Sequence, residues 1–361
     1  MTSDGDLVDF QGRLSRSVKT VGGFWLRRNY AQQMVLVLAV LLFKNAADIE
    51  LRNIQEAYLP GAMEFPSAVG YFSGSFGQAV VASLLGVTTT TQWVGLHILL
   101  ITAALGTAFW FVWRAGPETR SILILALASA TATASLFASI GKYDVITYFG
   151  AVVFALARTA PVSLVGAIIM ASGNPEQAVV AAVAVLVLSF ATEFRYLRAR
   201  ALVAMTVTAV IWAIVQIWFA SSGMGVGRIQ LLPEYLAGSL ARVIASPGNE
   251  IWSWLNAGWL LVVLALFAVS RLSRKWLIAA LILIPGLVTV ITADGARVFG
   301  SVVLAGYLIV ALWFCHSQPW RVENQETATG IVVIAVVVLP VVIEGPGWLV
   351  DLVNGRLGAF F

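Results

Sequence analysis

Cysteine occurs once in this chain, at Cys315, so no disulfide within the chain is available to staple it. Charge is scarce as well. Asp, Glu, Lys and Arg make up 11% of the 361 residues, where a soluble globular domain carries about a quarter. The familiar catalytic signatures are missing too: no phosphate-binding P-loop, no Gly-x-Ser-x-Gly, no His-Glu-x-x-His and no Cys-x-x-Cys. ATP-driven transport, elbow-type serine hydrolysis and zinc proteolysis therefore lose their usual marks.

What the chain has instead is apolar length. Hydrophobic residues make up 60% of it, the mean hydropathy is +0.89, and several runs approach the roughly 20 residues that cross a bilayer. The expected fold is an all-α polytopic membrane protein with about eleven transmembrane helices, or nine plus a re-entrant pair, and an interfacial helix after the first span. The net charge of +4 reflects topology rather than nucleic acid, because Lys and Arg mark cytoplasmic loops.

Arg13, Arg16, Lys19, Arg27 and Arg28 make residues 1–29 a basic tail and place the N-terminus in the cytoplasm of a multi-pass plasma-membrane protein, with no signal-peptide pattern ahead of it. The membrane domain is expected over 30–343, with outer loops 44–91, 221–255 and 292–299 and an outer tail at 344–361. Within 145–192, Arg158 and the cluster Arg195, Arg198 and Arg200 both read as cytoplasmic. Three short crossings fit that pattern, and so does one crossing with a re-entrant pair; Pro161 and Pro175 mark a place for a broken helix.

The stretch 44–91 stands out. Lys44, Asp48, Glu50, Arg52, Glu56 and Glu64 crowd its first part. Phe72, Phe76, Val80 and Leu84 then recur every four residues beside Gly and Ser, the pattern of a helix lying in a membrane interface over 69–86.

Outer acids at span ends are costly there unless paired or functional. Asp48 and Glu50 suit a general base or metal ligand, or else simply end a helix in solvent. Asp144, in Gly-Lys-Tyr-Asp, has Lys142 beside it as an ion-pair partner. Asp294 and Arg297 lie three residues apart between apolar runs and either neutralise each other on one helical turn or form an Arg clamp for a phosphate with Asp orienting it. The stretches 144–153 (DVITYFGAVV) and 294–303 (DGARVFGSVV) share Asp, Phe-Gly and Val-Val at equal spacing, a short internal echo for which coincidence is the simpler account. His97 reads as a packed histidine, and Trp252 and Trp254 read as interfacial.

The layout of a first span, an outer acidic loop, an interfacial helix and many further spans with outward charge resembles the GT-C superfamily of membrane glycosyltransferases, over roughly residues 30–300. That resemblance implies a polyprenyl-phosphate-linked sugar donor, a glycan or glycolipid acceptor of the bacterial cell envelope, and inverting transfer at the outer face. It makes Asp48 or Glu50 the base, with Asp144 and Asp294 as further carboxylates, and it puts Arg297, Lys44, Arg228 and Arg242 on the lipid phosphate. A divalent cation is left open. Polysaccharide polymerases and ligases share the layout. A secondary transporter or a non-catalytic scaffold subunit are the readings from other classes.

Overall fold

The computed structural model describes residues 4–44, 49, 51–65, 74–191, 194–222, 247–268, 295–316, 325–339 and 341, with isolated positions at 236, 240–241, 244, 275–276, 278–279 and 285–286. Among the described residues the structure is all helical, apart from one isolated bridge between Ile49 and Ile140. The elements are α1 (Asp4–Leu26), α2 (Tyr30–Lys44), the short α3 (Leu51–Asn53), a π-helical turn (Ile54–Tyr58), α4 (Leu59–Met63), α5 (Phe76–Leu84), α6 (Thr90–Trp113), α7 (Pro117–Ser129), α8 (Thr131–Ala138) and α9 (Asp144–Leu156). They continue with α10 (Ala160–Gly173), α11 (Pro175–Ala191), α12 (Tyr196–Ser221), α13 (Pro247–Leu255), α14 (Gly258–Ala268), α15 (Gly295–His316) and α16 (Gln325–Val338).

Helix α15 is the axis. Its apolar window is 89% buried, against 33% for α6 and 22% for α12, although all three have membrane-crossing length. A helix apolar all round is stable only when protein or lipid covers every face; α15 is covered by protein, and α6 and α12 turn most of theirs outward. Helices α7, α8, α9, α11, α13 and α14 pack against α15.

Three helices are long and apolar enough to span a bilayer, and the pair α7–α8, bent by 49° at Ala130, makes a fourth if it is one span. The expected count of about eleven is not reached on length. Helices stand at most of the expected positions, but α9 and α10 have 13 and 14 residues. At 1.5 Å per residue that is about 20 Å, short of a hydrocarbon core of about 30 Å. The expected span at 276–292 lies mostly outside the described residues.

The segment 145–192 resolves into three helices running back and forth. Ser163 Oγ donates to Phe154 O at 2.9 Å, the start of α10 beside the end of α9. Pro161 and Pro175 do not break a helix there; each sits in the first turn of its own helix, where no backbone N–H is needed. Gly150 and Gly166 make the α9–α10 approach possible: a Cβ on Gly150 would meet the backbone of Met170, and one on Gly166 would meet that of Phe154. Such small-residue contacts let helices pack where lipid supplies no hydrophobic drive.

Two further features were not foreseen. The basic tail is mostly helix α1, which crosses α16 where Gly22 and Gly330 meet. On α5, Gln78 and Ala82 face inward, Phe76 and Val80 are half-buried and Leu84 is 81% exposed, so the small and polar side is the one that packs on protein. Phe72, the first residue expected in that stripe, lies outside the described residues.

Substituting Gly166 with Leu should lower the thermal stability of the purified protein by the equivalent of about 1–3 kcal/mol, the range for overpacking. Gly106→Leu on α6, where nothing lies within 4 Å of the added carbon, should leave it unchanged. Thermal unfolding of both variants in detergent checks this, and equal effects would remove the close-packing argument.

Candidate functional site

Asp144 and Arg297 meet in the interior. Arg297 Nη1 donates to Asp144 Oδ2 at 2.5 Å, and the two side chains are only 8% and 6% exposed. The sequence offered Lys142 as a partner for Asp144 and Asp294 for Arg297, of which Asp294 lies outside the described residues; the observed pair joins residues 153 positions apart. Fold topology accounts for it, because α9 and α15 run side by side in the same direction. They start together at this pair and end together where Leu156 and His316 line one cleft. The similar stretches 144–153 and 295–303 thus lie on adjacent helices, Asp294 itself being outside the described residues.

Electrostatics makes the arrangement asymmetric. Asp144 is the first residue of α9, where a carboxylate suits the positive end of the helix. Arg297 lies in the first turn of α15, where a cation is disfavoured. The Asp144 carboxylate thus faces both a guanidinium and the positive ends of two helices.

The loop before Asp144 is pinned on several sides. Ile140 pairs with Ile49. Gly141 has φ 111°, a backbone state that favours glycine, and a Cβ there would run into Ile54. Its carbonyl accepts from Gln78 Nε2 and Trp93 Nε1, both at 3.1 Å. His97 is fully buried between Gln78 Nε2, at 2.5 Å, and Trp93 O, at 2.9 Å. It is a packed residue that helps hold this loop. Tyr58 stacks on Trp93 at 6.4 Å, and Arg297 lies over the Tyr143 ring at 5.8 Å.

Several buried oxygens at this end have no hydrogen-bond partner: Asp144 Oδ1, Thr147 Oγ1 one turn further along α9, and Gln177 Oε1 in the first turn of α11. Thr147 abuts Gly173, at the end of α10, close to where α11 begins. Buried acceptors of this kind are uncommon and call for a donor.

A hydroxyl-rich break adjoins the pair. The segment Ser129–Ser135 alternates Ala with Ser and Thr, and the chain is extended at Ala130 between α7 and α8. Thr131 Oγ1 donates to Ser253 O at 2.8 Å and accepts from Asn256 Nδ2 at 2.7 Å, and Ser129 Oγ bonds the Tyr307 hydroxyl at 2.7 Å. These residues were not singled out from the sequence, although hydroxyls at alternate positions of an apolar span are a visible signal. Trp254, read as interfacial, is instead buried and stacked on Phe299 at 4.9 Å, because α13 packs on the axial helix.

Of the other expected site residues, Lys44 points its ammonium at the carbonyls of Val336 and Leu339, at the end of α16. That is where a cation suits the negative end of a helix. Asp48, Glu50, Asp294, Arg228 and Arg242 lie outside the described residues. Among the described residues no group of His, Cys, Asp and Glu is arranged to hold a metal.

Fold and site together define an all-helical protein with helices able to cross a membrane and a buried ion pair at one end of its central helices. No family model, no curated protein and no solved structure matches the chain.

Removing one partner of a buried ion pair leaves an uncompensated charge and costs about 3–5 kcal/mol, while replacing both is often close to neutral. Asp144→Ala and Arg297→Ala should each lower the unfolding midpoint strongly, and the double variant Asp144→Asn/Arg297→Met should recover most of the loss. Additive losses in the double variant would show that the pair is not coupled.

Proposed function

We propose that this protein is a membrane glycosyltransferase that moves a sugar from a polyprenyl-phosphate-linked donor to a glycan or glycolipid acceptor of the cell envelope, with Asp144 and Arg297 at its centre. The reading carries the site to the outer face of the plasma membrane and counts the short helices α9–α11 among about eleven crossings. Polymerases and ligases acting on lipid-linked glycans fall within the same chemistry.

The observation that carries it is the buried pair at two helix N-termini. Positive helix ends and a guanidinium suit a phosphate, and the unpartnered oxygens of Asp144, Thr147 and Gln177 suit sugar hydroxyls, which bring donors. A lipid phosphate that takes over Arg297 releases Asp144 as a base. Asp144 then accepts the proton of an acceptor hydroxyl while that oxygen bonds the anomeric carbon. The bond from that carbon to the phosphate oxygen breaks, and the lipid phosphate leaves with the electron pair, held by Arg297. Ile49, which lies between Asp48 and Glu50 in the sequence, pairs with Ile140. This brings the first loop to the same end and keeps its two acids in the reading as an alternative base.

One observation favours a second reading. A helix broken beside a buried ion pair, as α7–α8 is at Ala130, also suits a secondary transporter with an ionisable couple.

The test uses the purified protein in nanodiscs with a panel of polyprenyl-phosphate sugars, scoring release of free polyprenyl phosphate. Asp144→Asn should lower turnover by about 10²–10⁴-fold, the usual contribution of a general base, with membrane insertion unchanged. Arg297→Lys should weaken donor binding. Full turnover in Asp144→Asn would exclude Asp144 as the base. Absence of transfer together with solute flux in sealed vesicles that depends on Asp144 would establish the transporter.

A further inference from the structure

The opposite end of the bundle holds a cleft of about 340 Å³ lined by Arg158, Arg200, His316, Tyr196 and Thr119 over an apolar floor that includes Leu123 and Leu156. Five helix ends meet there: the C-termini of α6, α9 and α15 and the N-termini of α7 and α12. Helix C-termini need donors, and the arginines supply some. Arg200 Nη1 donates to Ala157 O at 3.0 Å and Nη2 to Arg158 O at 2.5 Å, while Arg158 Nη2 donates to Arg114 O. His316 Nδ1 bonds Leu312 O at 2.7 Å. Capping accounts for the presence of these side chains. It does not account for an open cleft bearing three basic groups with no carboxylate among the described residues that line it.

A guanidinium has five N–H groups, so the capping bonds leave donors on both arginines, and Nε2 of His316 is left over as well. The first turn of α7, entered at Gly116 and Pro117, adds its backbone N–H groups and the positive end of its dipole. The cleft therefore pairs a cationic rim with an apolar floor.

We infer that this cleft binds a phosphate-bearing anion, held by Arg158, Arg200 and the N-terminus of α7. Basic pockets between membrane helices take lipid headgroups, and the apolar floor suits the glycerol and first methylenes of a phospholipid. A free phosphate has the same polar chemistry. The inference stands apart from the transferase reading, whose residues lie at the other end of α9 and α15.

Detergent-purified full-length protein is titrated with phosphatidylglycerol, phosphatidylcholine or inorganic phosphate, and binding is read by native mass spectrometry and by the unfolding midpoint. Phosphatidylglycerol should bind and stabilise, and phosphatidylcholine should do so far less. Thr119→Glu places a carboxylate in the cleft yet suits the first turn of α7, so it keeps the fold; it should weaken binding at least tenfold, as should Arg158→Gln. Binding of phosphatidylglycerol alone identifies a lipid headgroup. Binding of inorganic phosphate as well, lost in Thr119→Glu, identifies the phosphate itself. Unchanged binding in Thr119→Glu, equal binding of phosphatidylcholine, or no binding by wild type would overturn the inference.

Discussion

A guanidinium at the head of a largely enclosed helix must be neutralised where water hardly reaches it, and Asp144 does this for Arg297. Isolated charges in such surroundings cost far more than a domain's whole stability, so the partner has to be placed by the fold itself. That requirement runs through the structure. Helix α9 has to start level with α15, the loop before it has to be tied to α5, α6 and the first loop, and α10 has to approach closely enough to hold α9 in place.

The two ends of the bundle are chemically different for a reason rooted in helix dipoles. Where α9 and α15 begin, Asp144 and, in the first turn of α11, Glu176 are the acids, and the N-termini add positive potential. Where they end, arginines cover exposed carbonyls and still carry donors to spare. Both ends thus favour anions, one enclosed and one open as a cleft.

The helical class of the described residues and the presence of helices apolar and long enough to cross a membrane were legible in the 60% hydrophobic content and its long runs. Asp144 and Arg297 were legible as residues, since charge at the edge of an apolar run is conspicuous, but not as a pair. Local spacing points only to neighbours such as Lys142 and Asp294, whereas the contact between Asp144 and Arg297 depends on which helices lie side by side. The break at Ala130 was missed because Ser and Thr hardly lower hydropathy, and their role shows only when Asn256 and Tyr307 arrive from distant segments. Helix α1 was missed because a polar, basic stretch reads as a tail until α16 gives it a surface. Helix length supports three or four of the expected crossings among the described residues, because hydropathy measures apolar character and does not separate a short helix sheltered by protein from one that reaches both bilayer faces.

The contact between Gly22 and Gly330 joins the first described helix to the last, with some 300 residues made in between. At ribosomal speeds of about 5–20 residues per second, α1 waits roughly 15–60 s for its docking surface to exist. During that interval its tertiary contacts are with segments made earlier, as where Trp25 Nε1 donates to Ser121 O on α7, and its docking on α16 comes late in biogenesis. Accessibility of this helix on the nascent chain is therefore a clock for completion of the bundle.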